Sequence, residues 1–450
     1  MDKLPPEHRK QPRVVIIGAG FAGLWAARTL AHSPFEVFIL DRNNYHTFLP
    51  LLYQVAAAEV APEDIIYPVR AILRRYPHEH FWLGGVERID LKAKTVLING
   101  RDLPFDYLII ATGSIPHFYA VPGAVEHAYL LKNLEQGILL RNRILASFEQ
   151  AVHEQDPELR RRLLTCVIIG GGPTGVEFAG ALAELVRGPL RKDFRGIEFR
   201  EIRTILVEAQ QSLLPGMGES LSVYAEQRLR SMGVDVRLKT MVREIAPSAV
   251  HLHQGEIIPS DCVVWTAGVR GDPLAESWGL PTGRDGRVAV LPTLQVPGHP
   301  EIYVAGDLAR VDDAGTPLPM IAPAAIQEGK AAARNIARQQ KGLAPLPFVY
   351  RDPGSMATIG RNKAIARLGH RTITGFPAWI IWLTVHIIKL IGFRNRLVVS
   401  INWAWDYFFF ERTVRVIVPQ DRSLEGRKTP SIDTPRLMPI TNLSTRHEVS

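Results

Sequence analysis

Two stretches of the chain share one pattern: an unbroken apolar run, a glycine-rich turn, then a helix-forming run rich in alanine. The first is Val14-Val15-Ile16-Ile17, then Gly18-Ala19-Gly20-Phe21-Ala22-Gly23, then LWAARTLA. The second is Cys166-Val167-Ile168-Ile169, then Gly170-Gly171-Gly172-Pro173-Thr174-Gly175, then VEFAGALAELV. A further apolar run follows each, EVFIL ending at Asp41 and TILV ending at Glu208. Unbroken apolar runs alternating with helical periodicity predict parallel strands buried on both faces. The expected fold class is therefore α/β, with two Rossmann-like dinucleotide-binding units, one nested inside the other.

Three more apolar runs end in small residues. LIIATGS (108–114) carries the turn Ala111-Thr112-Gly113, and VVWTAGV occupies 263–269. IYVAGDLA (302–309) ends in Gly306-Asp307 and leads to the helical pattern PAAIQEGKAAARNIA. From about residue 355 the chain turns aromatic and basic, and past 420 it is polar and rich in Pro, Ser and Thr, a loose tail.

A glycine-rich turn alone is weak, but here each follows a strand, opens a helix and has an acid at the end of the next strand. The first glycine (Gly18, Gly170) makes the tight turn, and the second (Gly20, Gly172) lets backbone approach a pyrophosphate. The third (Gly23, Gly175) lets helix and strand pack closely. The pyrophosphate then meets the helix N-terminus, whose unpaired N–H groups suit an anion. Pro173 fits the first turn of its helix, where a missing N–H costs nothing. Asp41 and Glu208 are placed to accept from an adenosine ribose, and a carboxylate at 208 repels a 2′-phosphate, favouring NADH over NADPH. The charged insert RGPLRKDFRGIEFR lengthens the path from Gly175 to Glu208 and weakens the second acid's assignment.

Composition narrows the picture. With 22% charged and 46% hydrophobic residues the 450-residue chain is an ordinary globular protein of two to three domains. The net charge of +8 suits nucleic acid, an anionic membrane surface or anionic ligands alike. Cys166 and Cys262 each lie inside an apolar run and read as small buried hydrophobes, and no CxxC pair exists. No metal ligand set stands out. The polar opening MDKLPPEHRKQPR lacks an apolar core, so the expected compartment is the cytoplasm.

Two fingerprints with ATG and AGD turns resemble the two-dinucleotide-binding flavoproteins over about residues 13–340. That resemblance implies FAD on Gly18, Gly20, Gly23, Asp41, Ala111, Thr112, Gly113, Gly306 and Asp307. It implies NADH on Gly170, Gly172, Gly175 and Glu208. Disulfide reductases of this kind carry a cysteine pair soon after the first unit, where this chain reads DRNNYHTFLPLLYQVAAAEVAPEDI. That stretch, GGGPTGVEFAGAL, AAIQEGKAAARNI and WLTVHIIKLIGFRNRLVVSINWAWDYFFFER together resemble the type II NADH:quinone oxidoreductases, single-subunit enzymes that do not pump protons. The resemblance implies hydride transfer from NADH to FAD, then electrons to a membrane quinone in the respiratory chain. By it, Glu177 is a proton route to quinone and Gln327 donates to a quinone carbonyl. Where the family often has another glutamine this chain has Pro323, which removes one quinone-orienting amide. A homodimer on the cytoplasmic face of the cell membrane, binding no nucleic acid, is also implied. Two other readings remain: a soluble NADH-dependent reductase of a protein electron carrier, and a redox-sensing flavoprotein.

The segment FPAWIIWLTVHIIKLI (376–391) is too short to span a bilayer, which takes about 20 apolar residues, and Lys389 would cost roughly 2.5–3.5 kcal/mol at mid-membrane. It reads as an interfacial anchor, with Trp379 and Trp382 at headgroup level and Lys389, Arg394 and Arg396 meeting anionic lipid. The bland reading is a core helix packed under INWAWDYFFF. The expected divisions are an FAD-binding domain over 1–120 and 286–350, an NADH-binding domain over 121–285, a membrane-association region over 351–420 and a polar tail over 421–450.

Overall fold

The computed structural model describes residues 11–418 apart from 314, 410 and 413, so the expected tail over 421–450 lies outside the described residues. The chain enters at strand β1 (Arg13–Ile17), turns into helix α1 (Phe21–Leu30) and returns as β2 (Glu36–Asp41). Strands β3 (Glu79–Leu83) and β4 (Tyr107–Ile110) follow. A second run comprises β5 (Tyr129–Leu130), α2 (Leu134–Ala151), β6 (Thr165–Ile169), α3 (Pro173–Leu185), β7 (Arg203–Val207), β8 (Val234–Arg237) and β9 (Cys262–Trp265). Then come β10 (Gln295–Val296), β11 (His299–Val304) and the long α4 (Ala322–Gln340). The last elements are β12 (Ser355–Thr358), β13 (Ala364–Leu368), β14 (Arg371–Gly375), α5 (Phe376–Lys389) and α6 (Phe393–Phe409).

The strands assemble into two main sheets, ordered β10-β11-β4-β1-β2-β3 and β5-β9-β6-β7-β8. All pairings are parallel except β10 with β11. The first sheet is completed by β11, which pairs with β4 (Ile302↔Leu108) after the whole second unit has intervened. The two units are thus nested, as the repeated pattern predicts. Burial on both faces explains the unbroken apolar runs: Val14, Val15 and Ile16, and likewise Val167 and Ile168, are fully enclosed.

The charged insert after α3 takes helical form, a π-helical turn at Val186–Leu190 and a short helix at Arg191–Asp193. It leaves β7 in register beside β6 (Ile169↔Val207). Cys166 and Cys262 are buried as expected, and they face each other in adjacent strands with Sγ···Sγ 3.5 Å.

The C-terminal unit is a three-stranded antiparallel sheet, β12-β13-β14, with α5 packed across it. The expected position of Trp382 needs correction. It is 1% exposed, stacked on His386 (4.0 Å) and packed against Trp403 (5.6 Å) and Tyr53 (6.5 Å). The exposed face of α5 is instead Phe376, Ile380 and Ile388, at four-residue multiples. On α6 the exposed face is Phe393, Leu397, Ile401, Trp405 and Phe409, again every fourth residue, with Phe408 beside it. Among the described residues no helix is long and apolar enough to cross a membrane.

Candidate active site

The two glycine-rich turns are built alike. Gly18 and Gly170 lie at φ +102° and +111°, in the region that favours glycine. A Cβ on Gly23 or Gly175 would lie 1.9 Å from the carbonyl oxygen of Gly18 or Gly170, so only glycine admits this closeness of helix to turn. By contrast Gly20 and Gly172 have open space where a Cβ would stand. Each is the N-cap of its helix without a side-chain cap bond, so the first N–H groups of α1 and α3 are left for another acceptor.

The acids predicted at the strand ends brace these turns. Asp41 accepts from the backbone N–H of Ala19 and of Asn43, each 2.7 Å. Glu208 accepts from Gly171 N–H (2.5 Å) and Gln210 N–H (2.7 Å). Despite the insert, Glu208 occupies the same place in its unit as Asp41 in the first. Burial raises the Asp41 carboxyl above its ordinary range, with the Ala19 and Asn43 bonds opposing.

Around the first turn, three features suit a bound dinucleotide. Thr112 Oγ1 is buried without a hydrogen-bond partner, and Gly113, at φ +82°, has nothing within 4 Å of where a Cβ would stand. Ala111 is buried beneath Gly18. His46, which sequence reasoning missed, donates from Nδ1 to the Ala19 carbonyl (2.9 Å) and leaves Nε2 buried and unpartnered. Burial lowers its pKa to about 4, so it is neutral.

Three partners of the Gly306-Asp307 turn were also missed, the buried Ser114 and Glu328 and the partly exposed Lys132. Asp307 Oδ2 accepts from Ser114 Oγ (2.5 Å), and Lys132 Nζ reaches both Ser114 Oγ (2.8 Å) and Asp307 (3.4 Å). Gly306 N–H donates to Glu328 Oε2 at 2.6 Å. Burial pushes Glu328 up to about 8, with the Gly306 bond opposing and Asp307 adding to the rise. The folded protein then holds a proton that the unfolded chain has shed, so this group's stabilisation is complete below about pH 4.5 and lost as pH rises through about 8. Glu328→Gln keeps an acceptor and removes the titration. It should flatten the decline of thermal stability from pH 5 to 8 by up to one proton, about 1.4 kcal/mol per pH unit; a calorimetric slope equal to that of the parent would refute it.

Of the two residues expected at the reaction centre, Glu177 lines a cavity and Gln327 is not among the residues that line it. Gln327 spends its amide on the backbone of Arg351, donating to its carbonyl (2.9 Å) and accepting from its N–H (3.0 Å). Pro323 lies in the first turn of the same helix. Glu177, in α3, lines a cavity of about 670 Å³ between α3 and the inner faces of α5 and α6. Tyr53, Gln54, Trp382 and Trp403 give it an aromatic, partly polar wall. Trp403 Nε1 donates to Gln54 Oε1 (3.0 Å), whose amide donates to the Tyr53 hydroxyl (3.1 Å). Glu177 Oε1 accepts from Thr358 N–H at 3.3 Å. Burial pushes its carboxyl up to about 8; the Thr358 bond and the nearby Trp382 indole oppose, though that indole N–H closes no hydrogen bond.

At the cavity edge Arg412 ties three segments together. It donates to the carbonyls of Ala57 (2.9 Å) and Ala181 (3.2 Å), and pairs with Glu59 (2.6 Å) and Glu184 (3.5 Å). A lone acid inside LYQVAAAEV and another inside NWAWDYFFF were signals for Glu59 and Asp406, both of which line this cavity.

The family described as Pyridine nucleotide-disulphide oxidoreductase matches residues 12–329, and the NDH2 C-terminal domain matches 353–413. The Type II NADH:quinone oxidoreductase Ndh of Mycobacterium tuberculosis is 38% identical over 426 residues, covering 91% of each chain. The type II NADH:quinone oxidoreductase of Staphylococcus haemolyticus is 28% identical, over 81% of this chain and 92% of its own. The solved structure of NDH2 from Plasmodium falciparum in complex with NADH superposes with a TM-score of 0.84 at 18% identity, over 91% of this chain and all of that one, a likeness of fold. With family models matched over 12–329 and 353–413 and a relative at 38% identity along nearly its whole length, the chain belongs to the type II NADH:quinone oxidoreductase family.

Proposed function

We propose that the chain oxidises NADH and reduces a membrane quinone, without pumping protons, as a peripheral enzyme on the cytoplasmic face of the cell membrane. The observation that carries this is the cavity, which joins Glu177 on the nucleotide-binding body to the aromatic inner faces of the two C-terminal helices. FAD, when bound, supplies the hydride and electron chemistry. Gly18, Gly20 and Gly23 with the N-terminus of α1 take its diphosphate, Asp41 its adenosine ribose, and Ala111-Thr112-Gly113 and Gly306-Asp307 the remainder. Gly170, Gly172, Gly175 and Glu208 hold NADH in the same manner. Glu177, neutral at pH 7, donates a proton to a quinone oxygen. Gln327, by locking Arg351, fixes the entry into the C-terminal unit and so orients the quinone wall.

In this reading FAD belongs to 1–120 and 286–350, NADH to 121–285 and membrane attachment to 351–420, a division supported by the interruption of the outer sheet by the inner one. The exposed stripes of α5 and α6 lie in the lipid interface, with Lys389, Arg394 and Arg396 toward anionic headgroups. A homodimer is the expected assembly.

The test is an anaerobic spectrum of the flavin-loaded protein titrated with NADH and then mixed with a short-tailed quinone. Bleaching followed by rapid recovery is expected; bleaching without recovery would point to a protein acceptor and sink the quinone reading. Glu208→Gln removes the charge that repels a 2′-phosphate while keeping an acceptor for the turn. It should narrow the preference for NADH over NADPH by on the order of tenfold, about 1.4 kcal/mol. Steady-state kcat/KM for both nucleotides checks this, and an unchanged ratio counts against the assignment.

A further inference from the structure

Two carboxylates of the cavity wall, Glu59 and Asp406, have no part in the chemistry described so far. Glu59 stands in the short connection after the buried run Val55–Ala58, and Asp406 on the inner side of α6, beside Tyr407. Both line the same cavity as Glu177. All three are partly exposed, and all three line the cavity. A volume of about 670 Å³ has room for many waters at ~30 Å³ each, and the carboxyl and guanidinium groups on its partly polar wall can hold them.

The overall reaction takes NADH, one proton and quinone to NAD and hydroquinone. The hydride brings two electrons and one of the two protons; the other must come from water. Glu177 faces the cavity, so the cavity is a route by which it can be reloaded once it has given up its proton.

We propose that Asp406 and Glu59 form a carboxyl relay which, across cavity water, returns a proton from outside to Glu177 after each turnover. This rests on Glu177 being the acid that serves quinone. Glu177 breaks its O–H bond to the quinone oxygen and becomes a carboxylate. The Glu59 carboxyl passes a proton to it through water, Asp406 reloads Glu59, and external water reloads Asp406. No electrons move in these steps, and one proton crosses per turnover.

The charges around the relay agree with this. Glu59 faces the Arg412 cation and the acids Glu184 and Asp406; Asp406 faces Arg412, Arg415, Arg361 and Glu184; Glu177 faces Glu59, and Tyr53 lies beside both. Burial is the largest influence on each, and the arginines limit the rise at Glu59 and Asp406, which reach about 7. Groups poised near neutrality can both take and give a proton at working pH.

Asp406→Asn and Glu59→Gln in the flavin-loaded enzyme test the relay; the second keeps an acceptor for Arg412. Each should slow quinone-driven recovery of the flavin absorbance by on the order of tenfold above about pH 7, more than it slows bleaching by NADH. Formate, a small weak acid, should restore the rate. In infrared titration each variant should lose one protonated-carboxyl band that titrates near neutrality. Parental rates from about pH 6 to about pH 9 with no response to formate, or no such band in the parent, would overturn the relay. Asp406→Asn suffices if Glu59→Gln does not fold. Should the parent itself fail to recover with quinone, the enzymatic reading falls instead, and the infrared arm still reports on the carboxyls.

Discussion

Glu177→Gln is expected to slow quinone-driven recovery of the flavin absorbance by on the order of a hundredfold, the lower range of what a positioned acid contributes. The amide keeps the shape and an acceptor for Thr358 N–H, which holds the parent side chain at 3.3 Å, but has no proton to give. The pH dependence carries the sharper signature. Burial raises this carboxyl to about 8, so the protonated form prevails at neutrality and the parent's rate should fall as pH rises through about 8. In the amide variant that limb disappears. Rapid mixing of NADH-bleached protein with a short-tailed quinone at several pH values measures both. A parental rate with the alkaline limb intact would remove Glu177 from the chemistry.

Leu397→Glu with Ile401→Glu is expected to release the protein from vesicles containing anionic lipid. Both side chains are about half exposed, at 50% and 54%, and they sit mid-stripe on α6. Burying a large apolar side chain completely is worth roughly 1.5–3 kcal/mol, and about half of each is left to bury, so losing two removes about 1.5–3 kcal/mol. That corresponds to roughly one to two decades in the partition constant. Because neither residue belongs to the buried core, the thermal transition should not move. Co-sedimentation across a range of lipid concentrations reads the shift. If the double variant still sediments like its parent, attachment lies elsewhere.

What could be read from the chain divides along a physical line. The glycine turns, their strands and both strand-end acids were legible because each depends on local geometry. Glu208 kept its place even with the insert, since the added residues wind into a helical extension of α3 and leave β7 aligned with β6. The inward face of α5 was not legible. Both faces of that helix are apolar, and which one is covered depends on where α6 and Tyr53 lie. The cavity escaped notice for a related reason, being walled by segments far apart in sequence. Lys132, Ser114 and Glu328 are unremarkable residue types until folding brings them onto one turn. The role of Gln327 was taken from the resemblance, whereas its bonds to Arg351 depend on a loop path no periodicity reveals.

The interrupted sheet also sets an order of assembly during synthesis. The inner sheet, β5 to β9, is contiguous and can close once residue 265 has left the ribosome. The outer one must wait for β11, which ends at Val304 and pairs with a strand made long before. Domains fold as units while the chain grows, and distant pairings form late. The inner unit therefore matures first, and flavin loading waits until the strand ending at Val304 and the Gly306-Asp307 turn have been made.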